Sequence, residues 1–249
     1  MQWSDEGLVL AARRHGERAL VVDLLTREHG RHAGLLRGGQ SPRARAQWQI
    51  GNRLLVTWRA RLAEHLGSLS GELVASDAAR LLDDRLRLAA LVAASALAAA
   101  SLPEREPHPR AFAGLCSLVA ALAEDDRWAI AYVEWEMDLL EELGFGLDLT
   151  RCAATGRSDD LTYVSPKSGQ AVNAEAGAPY KAKLLALPPF LRRDRDSTAP
   201  PRPADVLAGL ELTGFFLERR VFAPHGRKLP SSRARYVDAL RTFLTIDAR

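Results

Sequence analysis

The chain has 249 residues and a mass of 27.3 kDa; 47% of the residues are apolar and 26% charged, a balance that excludes disordered, collagenous and low-complexity chains. Net charge is only +3, but it is segregated: residues 1–62 hold 11 Arg against 5 acids, residues 63–150 hold 6 Arg against 16 acids, and residues 151–249 hold 17 Lys+Arg against 10 acids. Such segregation points to polyanionic partners for the basic ends and protein partners for the acidic middle.

The opening residues, MQWSDEGLVL, carry acids where a secretory signal needs bases, so no signal peptide is expected. From residue 6 the chain reads as short strands separated by polar turns. They are Gly7–Ala12, Ala19–Leu25, His32–Leu36, Arg53–Trp58 and Gly67–Val74, with turns at Gly16, Gly30 and Gly38-Gly39. Five strands in so short a span predict a small Greek-key barrel of the OB type, with an SH3-like barrel as the alternative. The first domain is therefore placed at residues 1–76.

A helical domain is expected over residues 77–150. Asp77 is the expected cap of a first helix with Leu81, Leu82, Leu86, Leu88 and Leu91 at helical spacing. Its uncharged stretch Leu88–Leu102 is too short to span a bilayer, so no membrane partner is expected. Pro103 and Pro107 break the pattern. A second helix carries Phe112, Leu115, Leu118, Val119 and Leu122, with Cys116 as a core thiol. A third, from Arg127 to Leu143, has the apolar stripe Trp128, Tyr132, Trp135 and Leu139. The acids Glu134, Glu136, Asp138, Glu141 and Glu142 beside that stripe are read as a solvated face.

Residues 151–190 contain two weak strands, Leu161–Val164 and Gln170–Val172, and a short helix from Pro179. Arg192–Pro203 is expected to be an exposed loop. Residues 191–249 then add a long helix from Pro203 to Phe222 and a last one from Ser232, with Tyr236, Leu240, Phe243 and Leu244 on its apolar face, both packing on the helical domain. The fold class predicted is α+β.

The chemistry is concentrated in Arg31–Arg61, which holds Arg31, Arg37, Arg43, Arg45, Arg53, Arg59 and Arg61 and no acid. Arg37–Arg45 reads as a flexible basic loop. Guanidinium groups pair with phosphates and aromatic rings stack on unpaired bases, so on a small barrel this combination reads as a single-strand groove. Arg31, Arg37, Arg43, Arg45, Arg59 and Arg61 are the expected phosphate contacts, Arg13 and Arg14 extend the surface beside Arg18, and Trp48 is the stacking candidate. Trp58, inside an apolar strand, is read as core. A second basic set, Arg219, Arg220, Arg227, Lys228, Arg233 and Arg235, is the candidate for extending the DNA path or holding an acidic peptide.

Catalytic constellations are missing from the sequence: no Walker loop, no G-x-S-x-G and no H-E-x-x-H. His29 and His32, three apart beside Glu28 at a turn, form a conceivable metal pair with no third ligand nearby in sequence. Cys152 and Thr155, with Asn173 and Ala176 after a two-strand segment, keep the outline of a zinc knuckle. A working site needs C-x-x-C twice, so this one is read as degenerate and metal-free. The two cysteines, Cys116 and Cys152, give no disulfide framework and are expected to stay reduced in the cytoplasm.

Several segments, in order and spacing, resemble the RecO family of bacterial DNA-repair and recombination-mediator proteins. They are Glu6–Leu10 through Gly16-Glu17, Leu24–Arg31 (LLTREHGR), Gly34–Gly39 (GLLRGG) with its basic loop, Leu139–Phe145 (LLEELGF), and Cys152 followed by Ser165–Gly169 (SPKSG). The resemblance implies an N-terminal OB fold, a central helical domain and, in many members, a zinc-binding segment from which this chain departs. It implies binding of single- and double-stranded DNA, annealing of complementary strands, and loading of RecA onto strands coated by single-strand-binding protein (SSB). It further implies RecR as a partner, RecF in some pathways, contact with the SSB C-terminal tail, and work at the nucleoid in the cytoplasm without covalent catalysis or cofactor. The alternatives are an RNA-binding OB protein, a metal-dependent nucleic-acid-modifying enzyme built on the acidic helix, and a scaffold that binds only proteins.

Overall fold

The computed structural model describes residues 1–192 and 202–246, which form an α+β chain. The chain divides into two compact units, Met1–Trp128 with Pro230–Tyr236, and Ala129–Leu229 with Val237–Arg249.

In the first unit, β1 (Gln2–His15), β2 (Ala19–Thr26), β3 (Gly30–Leu36), β4 (Arg53–Arg59) and β5 (Ser68–Ala75) close into a barrel of order β1-β2-β3-β5-β4. β1 serves two neighbours: Gln2–Leu8 pairs with β4, and Gly7–His15 pairs with β2. A register shift between Val9 and Ala11 marks the irregularity that lets one strand do both. The barrel shuts where Leu35 meets Ser68 in parallel pairing. Strand alternation sends Val9, Leu20, Val22, Leu24, Leu36, Leu54, Val56, Trp58 and Leu69 inside. Trp58 is 1% exposed, as expected of a core position, and its indole N–H donates to the Leu66 carbonyl at 3.0 Å. Truncating one of the leucines to Ala costs about 2–5 kcal/mol.

The expected flexible loop Arg37–Arg45 is corrected: its second half is helix α1 (Pro42–Gln47). Ser41 Oγ accepts from the Ala44 N–H at 3.3 Å, and Pro42 sits at the first helical position, where its missing N–H costs nothing. At the other end, the Asn52 side-chain amide donates to the carbonyls of Ala46 and Gln47, each at 3.0 Å. Trp48 follows the helix and is 3% exposed in the barrel cluster. This corrects the stacking role expected for Trp48: a ring packed on both faces has none to offer a base.

Asp77 is not the cap expected of it. Residues Asp77–Leu81 form a 3-10 turn, and Asp84 Oδ1 caps α2 (Arg85–Ser101) by accepting from the N–H groups of Leu86 and Arg87 at 2.9 and 3.0 Å. Helix α3 (Pro109–Glu124) follows, with Phe112, Leu115, Leu118, Val119 and Leu122 buried. α2 packs on β1 and covers its outward leucines, Leu8 and Leu10. The α2–α3 connection runs along β3, where the Arg105 N–H donates to the Arg31 carbonyl at 2.9 Å. Gly30 is required there: its φ is +66°, and a Cβ would lie 1.9 Å from the Glu106 carbonyl oxygen.

The second unit holds α4 (Trp128–Glu142) from its second residue. It also holds the sheet β7-β6-β8 formed by β6 (Leu161–Val164), β7 (Ala171–Asn173) and β8 (Leu185–Ala186). The helix expected from Pro179 is a 3-10 turn over Ala178–Lys183, ahead of β8. Helix α5 (Ala174–Gly177) follows β7, and α6 (Pro203–Phe216) passes into a π turn over Leu217–Phe222 rather than continuing as one α-helix. Helix α7 (Ser231–Ile246) gives its residues through Tyr236 to the first unit and the rest to the second. Glu136 corrects the reading of a solvated acidic face: it is fully buried, and its Oε2 accepts from the Thr213 hydroxyl at 2.5 Å. Phe243, expected on an apolar face, is 48% exposed. The loop expected at Arg192–Pro203 falls, for residues 193–201, outside the described residues. Among the described residues, no helix is long and apolar enough to cross a membrane.

Candidate nucleic-acid interface

Two loops meet at the C-terminal half of β3. The β1–β2 turn brings Leu20 opposite Leu36, and the end of the β4–β5 loop accepts, through the Gly67 carbonyl, the Leu35 N–H at 3.0 Å. In OB folds this region, the β2–β3 face flanked by these two loops, is where oligonucleotides bind. Gln40 organises the first side. Its side-chain amide donates to the carbonyls of Gly16 at 2.9 Å and Ala19 at 3.3 Å, and its backbone N–H donates to the Arg18 carbonyl at 3.4 Å. The basic turn carrying Arg18 is thereby tied to the basic segment that starts at Arg37.

The arginines sort by their partners. Arg14, Arg18, Arg37, Arg43, Arg45 and Arg61 are exposed and make no ion pair among the described residues. Arg59 donates to the neutral Gln2 amide oxygen at 2.6 Å and keeps its charge unmatched. Two of the expected contacts already hold a carboxylate. Arg13 is bound to Asp23 at 2.8 Å, and alternation along β1 sends it to the opposite side of the strand from Arg14. Arg31 has a side chain only 18% exposed; it donates to the Leu102 carbonyl at 3.1 Å and to Glu104 at 3.0 Å. Arg53 is held between Glu6 at 3.2 Å and Asp77 at 3.6 Å, and Arg27 is 2.6 Å from Glu6. These pairs anchor the barrel to itself and to the adjoining helices. The six guanidiniums without a carboxylate among the described residues are available to phosphate oxygens, which make strong charge-assisted hydrogen bonds.

His29 and His32 have other work than metal binding. His29 lies flat on Trp3, with centroids 4.2 Å apart, and its Nδ1 is 3.1 Å from Asp5. His32 is 6% exposed and meets Trp3 and Trp58 edge-on at 4.9 and 5.2 Å. Its Nδ1 is 3.1 Å from the His29 carbonyl, which only accepts, so that nitrogen carries the proton. Burial first, then the charges of Arg105 and His29, lower the His32 pKa from its usual 6.5, against the raising effect of that hydrogen bond.

The second basic set is not one cluster. Arg219, Arg220, Arg227 and Lys228 belong to the second unit, and three of them lie over their own aromatic neighbours: Arg219 on Phe215 at 5.7 Å, Arg220 on Phe216 at 4.7 Å, Arg227 on Phe222 at 5.4 Å. Arg233 and Arg235 belong to the first unit. Arg233 is 6% exposed, which corrects its place on a binding surface, whereas Arg235 is exposed.

The knuckle positions do come together, as a hydrogen-bonded cluster. The Asn173 N–H donates to Cys152 Sγ at 3.4 Å, its side-chain amide donates to Thr155 Oγ1 at 3.3 Å, and its Oδ1 accepts the Ala176 N–H at 3.0 Å. One thiol, one hydroxyl, one amide and one methyl do not fit a structural zinc, which wants three or four thiolate or imidazole ligands. Burial works to raise the Cys152 thiol, but hydrogen bonds from Thr155, Asn173 and Ala154 outweigh it and bring it down to about 7. Burial pushes the Cys116 thiol up to about 11, in keeping with an inert packing role. Among the described residues, no group of three or more His, Cys, Asp or Glu is placed to hold a metal ion.

Sequence reading missed Gln40 and Asn52. Neither stands out in composition, because each acts by bonding backbone carbonyls that only the fold brings near.

Comparison with known proteins agrees with this architecture. Residues 1–76 match the family described as Recombination protein O N terminal, and residues 82–229 match Recombination protein O C terminal. Proteins named DNA repair protein RecO are similar over nearly their whole length. That of Rhodospirillum rubrum is 52% identical over 252 residues, covering 99% of each chain. That of Rhodospirillum centenum is 52% identical over 97% of this chain and 95% of its own, and that of Phenylobacterium zucineum is 49% identical over 96% and 98%. Matched across both halves and at about half identity over almost every residue, the chain belongs to the RecO family of DNA repair proteins.

Proposed function

We propose that this protein binds single- and double-stranded DNA through the free arginines of its barrel and anneals complementary strands. With RecR it helps load RecA onto SSB-coated single strands. The SSB C-terminal tail is its second protein contact, RecF acts with it in some pathways, and the work is done at the nucleoid in the cytoplasm. The protein acts by binding, with no covalent step and no cofactor.

The observation that carries this reading is the set of Arg14, Arg18, Arg37, Arg43, Arg45 and Arg61, exposed and without ion pairs among the described residues, at the end of β1, on the β1–β2 turn, on the segment from β3 into α1, on α1 and on the β4–β5 loop. Annealing requires two polyanions to approach. Each phosphate neutralised by a guanidinium lowers the repulsion and releases condensed counterions, a gain that is largest at low salt. Two of the arginines sit on α1, capped at both ends and anchored by Trp48, so the charges are presented from a fixed element. Membership in the family supports a role in DNA repair; annealing, RecA loading and the named partners are the finer part of the proposal.

The test is annealing of complementary oligonucleotides, bare and SSB-coated, across a salt series. Annealing that persists in EDTA and weakens steadily with salt supports the reading. Annealing no faster than the protein-free rate at low salt overturns it.

A further inference from the structure

We propose that single-stranded DNA continues from the barrel along a trough on helix α2, with bases over an apolar floor and phosphates on Arg14, Arg45, Arg85 and Arg235. This rests on the DNA-binding reading above and adds a path and two residues, Arg85 and Arg235, on helices of the same compact unit.

A groove of about 680 Å3 lies where β1, α1 and α2 face one another. Its floor includes Ile50, Leu82, Leu88 and Val92, and among the described residues its only charged lining residues are Arg14 and Arg45. Leu88 and Val92 also line a second depression of about 280 Å3, whose remaining walls are Arg85, Ala89, Ser232 and Arg235. The two depressions share those side chains and so adjoin. Among the described residues no carboxylate lines either one, although the chain as a whole holds 31 acids against 34 Lys+Arg. None of the four guanidiniums makes an ion pair among the described residues; Arg235 only touches the Ser231 hydroxyl at 3.3 Å. Of the two acids just before Arg85, Asp84 is already spent on the α2 cap and on Arg87 at 3.2 Å.

The floor is costly to leave bare. Leu82 is 54% exposed, and beside Leu88 and Val92 it forms an apolar strip flanked by cations. An unpaired strand matches that strip on both counts: its base faces are apolar and its phosphates anionic. A duplex keeps its base faces stacked inside and offers only phosphate, so the trough favours single strands. An acidic peptide with apolar side chains shares this amphipathic character. Continuity decides between them, because Arg14 and Arg45 belong at once to the trough and to the free arginines of the barrel.

The test uses the full chain with Leu82→Asp and, separately, Arg85→Glu with Arg235→Glu. Each is titrated with oligo(dT) of about 10 nucleotides, within the roughly 4–16 that one OB fold spans, with oligo(dT) of about 35, and with a duplex. The double reversal is expected to weaken the long strand by on the order of 25-fold or more at 0.1 M salt, from two lost contacts at about 0.7 of a log unit each. The short strand and the duplex should change by less than about twofold, and Leu82→Asp should show the same pattern. Circular dichroism melting of both variants guards against unfolding, and a benzophenone side chain at position 82 should cross-link to the long strand. Unchanged long-strand affinity in both variants, while Arg43→Ala still weakens binding, overturns the trough and leaves the barrel reading intact. No effect of Arg43→Ala either would remove the barrel reading itself. Equal losses on all three ligands would reduce the effect to overall charge, and loss of an acidic apolar peptide without loss of DNA would make the trough a protein site; both overturn the proposal.

Discussion

Replacing Arg37, Arg43 and Arg45 together by Ala tests the local electrostatics of the barrel at a known cost to the fold. α1 has no buried residues, Ala is at least as good a helix former as Arg, and the Ser41 cap and Asn52 clasp are untouched. Stability should therefore stay within about 0.5 kcal/mol of the parent. Each lost phosphate contact flattens the plot of log affinity for single strands against log salt by about 0.7, so three flatten it by about 2. One decade below 1 M, at 0.1 M salt, the same three contacts amount to roughly a hundredfold in affinity, and one of them alone to about fivefold. Fluorescence anisotropy on labelled oligo(dT) from about 0.05 to 0.5 M salt measures both quantities. Arg27→Ala is the control: it removes the same unit of charge, but Arg27 is 2.6 Å from Glu6 and has no free charge to lend. It should leave the affinity within about twofold. A triple variant with the parental slope, or Arg27→Ala weakening binding as much as Arg43→Ala, would show that net charge rather than these residues governs the interaction.

Two further outcomes follow from the structure. His32 is held neutral with its pKa lowered by burial, so below 6.5 the unfolded chain takes up a proton that the folded chain refuses. Stability should thus be complete above that pH and fall as pH drops toward 5, by at most about 1.4 kcal/mol per pH unit from this group. Urea midpoints for the parent and His32→Gln over pH 5 to 7.5 check it, and an equal slope in both refutes it. Asn173→Ala removes the cap of α5 and the bond to Thr155, a loss of about 1–2 kcal/mol, visible as faster amide exchange over Cys152–Gly177; unchanged exchange would mean the cluster does not hold that segment.

The barrel was legible because its signal is local. Short apolar runs such as Ala19–Leu25 and Arg53–Trp58, with Gly at the turns between strands, are written into adjacent residues, and so is the burial of Trp58. α1 was not, because Pro42–Gln47 has three polar residues in six and no apolar face of its own; it is a helix because Ser41 and Asn52 cap it and Trp48 anchors it. Trp48 looked exposed for the same reason, standing among arginines in a segment whose course the sequence leaves open. Glu136 misled in the opposite direction. It sits among acids at helical spacing, and Thr213, 77 positions later, supplies a bond that helps make burial tolerable. The second basic set, contiguous as a list, divides between two units because α7 is shared by both.

The charge segregation seen in the sequence takes a particular form in the fold. If the acids of the middle segment had neutralised the barrel evenly, no anion site would remain. Instead, Glu104 meets Arg31 on β3 and Asp77 meets Arg53 on β4, both where the helices and their connections lie against the barrel. Glu6 and Asp23, from the barrel itself, take Arg27, Arg53 and Arg13. No carboxylate pairs with Arg14, Arg18, Arg37, Arg43, Arg45 or Arg61 among the described residues. Acids placed at the seams lower the repulsion between packed arginines there. The uncompensated charge is left on the exposed end of β1, on the connecting turns and on α1, which buries no residue of its own and can be given over to a polyanion. Basic residues distributed by codon bias alone would have no reason to divide into a paired set at the seams and an unpaired set on α1 and the turns beside it.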